Sequence, residues 1–437
     1  MSEEIELRIF DTGEVLEGWT SYRYSQDFLT PTDEWDVAIG FGDSARTARV
    51  FESLMPGTRV SLVIDDKAQC TGYVDARTLK RSREGTQLHV RGRDVVAPMV
   101  DASVDPLFVL GVKATLNDVL AKIATPFGFG VLSTTDIANR DVLTGNLKSK
   151  TQKLMTTPAK TVQSFEVRDE KQAVSAVRNN EIPEVIGEYD PTRPKFLKDI
   201  ELTTAKPHPG EGCFEFCARL AKRFRLWIWA SALGNELIVA APDFDQSPTY
   251  QFRTSDMLEI EYSDDATDQP SVIVATGQGG GGPFAKAPLK VAMVNELVGL
   301  DANGRFREGV PSIIATHRGV KVSPRRDDLI KYAKRFGQKR ARMLYLEDDE
   351  SRTTAQLEAA VYRKLAECQS KAIVLKITVR GHVFDGSPIA VNTIAHVDDP
   401  QITGAGRWWI KERTFTRSRE GGTKTSMTLI PPGTMEI

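Results

Sequence analysis

The chain is poor in the residues on which most enzyme chemistry relies. It holds four cysteines, at positions 70, 213, 217 and 368, and five histidines among 437 residues. Four scattered thiols do not form a disulfide framework, and they suit synthesis in a reducing cytoplasm. No stretch approaches the roughly eighteen consecutive apolar residues of a membrane-spanning helix, so no membrane segment is expected. The opening Met1-Ser2-Glu3-Glu4 is acidic and has no apolar core, so it does not read as a signal peptide. A dominant charge sign is lacking as well. The 57 basic and 59 acidic side chains leave a formal net charge of -2, which gives no whole-chain field for nucleic acid or an anionic membrane.

Motifs with a chemical mechanism are also missing. The glycine run Gly277-Gln278-Gly279-Gly280-Gly281-Gly282 lacks the Gly-Lys-Ser/Thr of a phosphate loop and reads as a hinge. His208, Cys213 and Cys217 have ligand chemistry, but the two cysteines share a helical face with Leu220 and Phe224, as core residues do. Glu347-Asp348-Asp349-Glu350 lacks the spacing and glycine of a calcium loop and reads as a turn or the flank of a helix. The basic stretch Lys331, Lys334, Arg335, Lys339, Arg340 and Arg342 lies between acidic clusters and reads as a solvated helix face or a contact for an acidic partner. Trp227 and Trp229 alternate on one strand, and Trp408 and Trp409 are adjacent. Core or interface positions suit all four better than a sugar platform does. No catalytic, cofactor or metal residue is assigned, and the chain is not expected to be an enzyme.

What the chain does contain is a repeat. Arg77-Thr78-Leu79-Lys80-Arg81-Ser82-Arg83-Glu84-Gly85 returns as Arg413-Thr414-Phe415-Thr416-Arg417-Ser418-Arg419-Glu420-Gly421, with differences only at its third and fourth places. Strand-like runs flank both copies, so each reads as the arm and turn of a β-hairpin, and the duplication suggests two alike β-domains. The remaining pattern divides the chain into about three parts. Residues 1–98 alternate like short strands of a small barrel, with Ile5 to Ile9, Asp36 to Phe41 and Arg59 to Ile64 separated by turns such as Asp65-Asp66. Residues 99–256 form an α+β domain. In it, a helix capped by Thr115 and Asp118 ends at Pro126 and Gly128, and a helix over 212–224 precedes a hairpin, 226–230 with 236–240. A polar, proline-rich insertion at about 134–208 interrupts this domain, with a short strand at Val162 to Val167. Residues 257–437 form the second barrel, with helices at about 325–345 and 353–369 and a long strand at 372–379.

The order of these elements resembles the Mu-type baseplate hub proteins of contractile-tailed bacteriophages, relatives of the N-terminal part of type VI secretion spikes. Leu16-Glu17-Gly18-Trp19-Thr20 resembles the family's first hairpin. Thr71-Gly72-Tyr73-Val74-Asp75 resembles its next strand, and Gly92-Arg93-Asp94 before Met99-Val100-Asp101 resembles its Gly-Arg-Asp run. Thr115-Leu116 through Pro126-Phe127-Gly128 is similar to its helix. The insertion departs from the pattern. The resemblance implies a β-rich α+β fold with two similar β-barrel domains and small α+β domains, assembled as a homotrimeric ring. It implies a structural protein of the virion tail that joins a threefold central spike to the sixfold tail tube or its adaptor, surrounds the channel and meets the wedge proteins. A tail-associated peptidoglycan hydrolase, a glycan-binding tail-tip module and a type VI spike are the alternatives.

Overall fold

The computed structural model describes residues 3–133, 206–277, 289–294, 312–317, 342–348 and 354–434, apart from short gaps at 11, 17–18, 42–43, 84, 109–114, 223–225, 243, 245, 266, 269, 271, 401–405 and 433, together with the backbone of 162–163 and 188–189. The fold is β-rich α+β. The chain forms two compact units: Met1–Gln152 with Pro194–Glu261 and Leu375–Leu429, and Lys153–Arg193 with Tyr262–Val374 and Ile430–Ile437.

The first unit begins with strands β1 (Ile5–Ile9), β2 (Val15–Leu16), β3 (Ser21–Asp27) and β4 (Glu34–Phe41), then helix α1 (Ser44–Ser53), then β5 (Arg59–Ile64), β6 (Lys67–Ser82) and β7 (Gly85–Asp94). Strict alternation in β1 buries Ile5, Leu7 and Ile9, as expected for a half-buried strand. Asp65 and Asp66 both take positive φ, 46° and 60°, and close the two-residue turn from Ile64 to Lys67. Short polar side chains tolerate that left-handed turn best. Helix α1 is absent from the strand reading of this block. Val50 and Leu54, four residues apart, are buried at its end, a helical spacing too brief to stand out among strands.

Next come short helix α2 (Ala97–Asp101), helix α3 (Leu116–Ala124), β8 (Gly130–Ser133), the two-residue strands β9 (Val162–Gln163) and β10 (Glu188–Tyr189), helix α4 (Cys213–Lys222), β11 (Trp227–Ala230) and β12 (Glu236–Ala240). Thr115 and Asp118 form the full capping box of α3, and Gly128 ends the following turn with φ 86°. That left-handed residue is one that glycine adopts without steric cost. Cys213, Cys217 and Leu220 are buried in one core with Leu116, Leu120 and Ile123. Strand β12 lies between β11 and β8. The inserted segment between β8 and α4 falls almost wholly outside the described residues, as do Ser164 to Val167 and Phe224.

The chain continues through β13 (Tyr250–Arg253), β14 (Met257–Asp264), β15 (Val272–Gly277), β16 (Leu289–Val294), β17 (Ser312–His317), β18 (Met343–Asp348), helix α5 (Thr354–Gln369), β19 (Ile373–Arg380), β20 (Val383–Phe384), β21 (Ser387–Pro388), β22 (Thr393–Asp398), β23 (Gly406–Ser418) and β24 (Gly422–Ile430). In the second unit β15 to β18 form a four-stranded sheet. Leu357, Val361 and Leu365 of α5 pack on Ile273 and Ala275, with Leu344 and Leu346 beside them. The expected helix to about 345 is corrected at its end: residues 343–348 are a strand parallel to β15. Leu344 and Leu346 face the core while Tyr345 between them is 65% exposed, a period of two rather than 3.6. Glu347 and Asp348 are therefore strand residues, not a turn or helix flank. The rest of that helix, residues 325–341, lies outside the described residues, as do Gly279 to Gly282, Asp349 and Glu350.

Thirteen strands of the chain form one sheet, in the order β14-β19-β24-β23-β3-β4-β7-β6-β5-β1-β2, with β22 and β13 branching from β23. The short motifs of the first block tie this sheet together. A Cβ on Gly72 would lie 2.0 Å from the Arg93 carbonyl oxygen, and one on Gly92 would lie 2.0 Å from the Tyr73 carbonyl oxygen and 2.3 Å from the Trp35 ring. Arg93 joins Asp75 and Asp101, each at 2.7 Å, and Asp94 accepts from the backbone N–H of Val96 at 3.1 Å, at the entry to α2. Thr71 donates to the Ala232 carbonyl at 2.9 Å, fastening the α+β core to the sheet. Gly92→Ala should lower stability by about 3 kcal/mol or more, because a rigid strand and a buried indole cannot yield. Gly40→Ala, whose added carbon meets nothing nearer than 3.6 Å, should cost under about 1 kcal/mol. Urea unfolding of both variants checks the contrast.

Candidate assembly surfaces

The two copies of the repeat are both long hairpins. Strand β6 ends at Ser82 and β23 ends at Ser418, the same place in the repeat, and each turns into its neighbour at once. The loops differ by one residue, since β7 starts at Gly85 and β24 at Gly422. The copies are joined through β3 and β4. Strand β23 pairs with β3 from Glu412 opposite Asp27 to Ser418 opposite Ser21. Strand β3 pairs with β4, and β4 with β7. The beginning and end of the chain thus share one sheet.

A buried polar cluster lies at this seam. Arg413, 3% exposed, donates to Gln69 Oε1 at 3.0 Å and to the Ile389 carbonyl. Its guanidinium stands 4.5 Å from the Phe415 ring centre. His382 stacks on Phe415 at 4.3 Å, contacts the Tyr22 hydroxyl, and has Nδ1 2.9 Å from Thr425 Oγ1. Thr425 in turn donates to the Gly381 carbonyl at 2.5 Å, so Nδ1 carries the ring proton and Nε2 accepts from Tyr22. The carboxylate of Glu3 accepts the backbone N–H groups of His382 and Val383 at 2.6 and 2.9 Å, a second link from the chain's start to its end. The counterpart Arg77 repeats the chemistry nearer the surface. It stacks 3.7 Å over Phe51 and donates to that residue's carbonyl.

Burial sets the charge states here. It pushes His382 down to about 3, with Arg413 adding to the effect. It pushes Asp33 up to about 7 and Asp94, next to Asp33, well above the carboxylate range. Tyr24 Oη lies 2.9 Å from Asp33 Oδ2 and 3.0 Å from the Gln69 carbonyl. One phenol proton cannot serve both acceptors. A protonated Asp33 can donate to Tyr24 while Tyr24 donates to Gln69, which satisfies all three groups.

Among the described residues, β6 and β14 each have a charged stretch without a strand partner on one side. Strand β5 covers β6 only from Lys67 to Tyr73, leaving the outer side of its far arm, with Arg77 and Lys80, beyond that partner. Strand β14 stands at one end of the strand order, and its Glu259 and Glu261 are exposed. The face of β3, β4 and β7 opposite the apolar core carries exposed Arg23, Asp36 and Arg91 side by side.

Residues 4–94 match the family model described as Mu phage baseplate assembly protein GpP-like, N-terminal. The baseplate hub protein gp44 of Escherichia phage Mu is 24% identical over 131 residues, which span 30% of this chain and 33% of that protein. The N-terminal block of this chain is similar to the Mu-type baseplate hub family. The match thus spans about a third of the length of the curated relative. Two solved structures share the fold over almost the whole length. The 43 kDa tail protein of prophage MuSo2 from Shewanella oneidensis aligns with TM-score 0.64 at 16% identity, covering 99% of each chain. The tail protein from Neisseria meningitidis MC58 aligns with TM-score 0.62 at 18% identity, covering 99% of this chain and 98% of that one.

The sequence candidates for chemistry divide on the structure. Cys213 and Cys217 are core residues, with burial holding both thiols above their usual range. Among the described residues no group of three or more His, Cys, Asp and Glu could hold a metal ion, and no helix is long and apolar enough to cross a membrane. Trp408 and Trp409 are 2% and 0% exposed, and Trp229 packs on Phe28 at 5.0 Å, so these rings serve the core. The sequence marks Arg413 only as part of the repeat and gives no sign of His382. The available signal was parity, since Arg413 alternates with Trp409 and Phe415 on β23.

The seam has opposed pH responses. The folded state holds a proton on Asp33 between about pH 4 and 7 that the unfolded chain has released, so its contribution is lost as pH rises through that window. His382 is neutral when folded and protonated when unfolded between about pH 3 and 6.5, so its contribution is lost as pH falls through that window. Asp33→Asn should remove the first response and raise stability at pH 7 relative to pH 4.5 by about 2 kcal/mol against the parent. Urea midpoints at both pH values measure it.

Proposed function

We propose that the chain is a structural hub of a phage or phage-like contractile baseplate, and that it works as a homotrimeric ring. The observation that carries this reading is the order of strands. Eight consecutive strands, β14-β19-β24-β23-β3-β4-β7-β6, fall into two sets of four. Each set holds one copy of the repeat hairpin. The first set belongs to the C-terminal β-domain and the second to the N-terminal one, the two alike domains of the reading.

Three such chains give three copies of the whole and six of the half. That count joins a threefold spike at one end to a sixfold tube, or its adaptor, at the other. The acidic edge of β14 and the basic outer arm of β6 suit pairing between neighbours. Main-chain bonds would supply affinity and the charges would set direction. Closing the ring removes both edges. The charge-mixed polar face would then line a channel that passes DNA or effector without holding it. Wedge proteins would meet the outside of the ring. The work is binding and not bond-making, and the place of the protein is the virion tail.

Solution mass tests the assembly. The purified chain should sediment as a trimer, either alone or on addition of its spike, and Glu259→Lys with Glu261→Lys should reduce it to monomer without loss of secondary structure. A dimer that persists with spike present contradicts the proposal.

A further inference from the structure

The two hairpin tips are chemically the same, Ser82-Arg83-Glu84-Gly85 and Ser418-Arg419-Glu420-Gly421. Arg81 and Arg83 are exposed at the first tip and Arg417 and Arg419 at the second. None of these four arginines makes an ion pair with another described residue. Among the described residues, then, no carboxylate neutralises this exposed charge.

Their placement is also matched. The register runs across the sheet from Ser418 through Ser21, Ala38 and His89 to Thr78. The counterpart of Ser418 is Ser82, four residues beyond Thr78 on the same strand. Both hairpins leave the sheet in the same direction, since four antiparallel steps separate β23 from β6. Four residues are about 13 Å of strand, and four strand spacings are about 19 Å. A lean of about 35° therefore brings both tips to one level. That is the tilt at which strands close into a ring.

We propose that the two tips are equivalent docking points for the carboxylate-bearing rim of a sixfold protein ring, held through Arg81 and Arg83 at one tip and Arg417 and Arg419 at the other. The proposal rests on the trimeric hub reading, which supplies six tips on one rim. Guanidinium groups at an exposed rim set on-rate and orientation and are screened by salt. The one-residue difference in loop length falls after the arginine of each tip, where it leaves the shared strand end unchanged.

The test uses the full chain and the tube protein of the same particle, assembled as rings. Binding is followed at low and high salt for the parent, for Arg81→Glu with Arg83→Glu, and for Arg417→Glu with Arg419→Glu. Each pair should weaken binding by about tenfold or more and by a similar factor, and salt should weaken the parent in the same way. Unchanged mass and circular dichroism show that the fold is kept. Loss through one tip alone, or parent binding that neither pair alters, overturns the docking proposal while leaving the hub reading intact. A parent trimer that ignores the tube rings at every salt concentration overturns both.

Discussion

The pairing of β3 with β23 is the constraint on which the rest of the structure depends. It joins strands nearly the full chain apart: the Ser25 and Thr414 hydroxyls that meet across it, at 3.0 Å, are separated by 389 residues in sequence. Without it the N-terminal and C-terminal β-blocks would each present an exposed strand edge. With it they become halves of one sheet. A contact this distant carries a large closure cost in chain entropy. The buried Arg413, Tyr24 and His382 cluster supplies specificity at that point, because a slipped register would strand a guanidinium and an imidazole without partners.

The repeat shows how one hairpin serves two settings. Its copies differ only where Leu79-Lys80 faces Phe415-Thr416. Leu79 is 44% exposed on the outer arm, whereas Phe415 is fully buried between Arg413 and His382. A larger ring fills the buried site. At the fourth place, exposed Lys80 contrasts with the half-buried Thr416, where a short hydroxyl suits the tighter surroundings. Five of the seven invariant places, from Arg81 and Arg417 onward, lie at the strand end and tip, so the shared sequence marks a shared surface more than a shared core.

Much of this architecture was legible in sequence because local chemistry dictated it. Thr115 and Asp118 announced a capped helix, Asp65-Asp66 a tight turn, and the alternation of Ile5, Leu7 and Ile9 a half-buried strand. Helix α1 was missed because few of its turns carry a clear apolar stripe. The end of the basic helix is not legible from its charge, since only the period-two pattern of Leu344 and Leu346 marks the strand there. The seam itself was illegible. Strand partners so far apart leave no local signal, and a buried arginine has the same letter as a solvated one. The repeat was the one long-range clue, and it indicated likeness between two hairpins without indicating that they share a sheet.

In the proposed assembly, eight strands per chain, bounded by unlike edges, continue around a closed ring. The most direct measurement is an averaged density map of the assembled particle at a resolution that separates strands. The expected map shows three chains in a continuous wall, with the outer arm of β6 in each chain beside β14 of the next and the polar face of β3, β4 and β7 turned inward. A map in which those two edges lie apart, or in which that face packs against protein outside the channel, would contradict it.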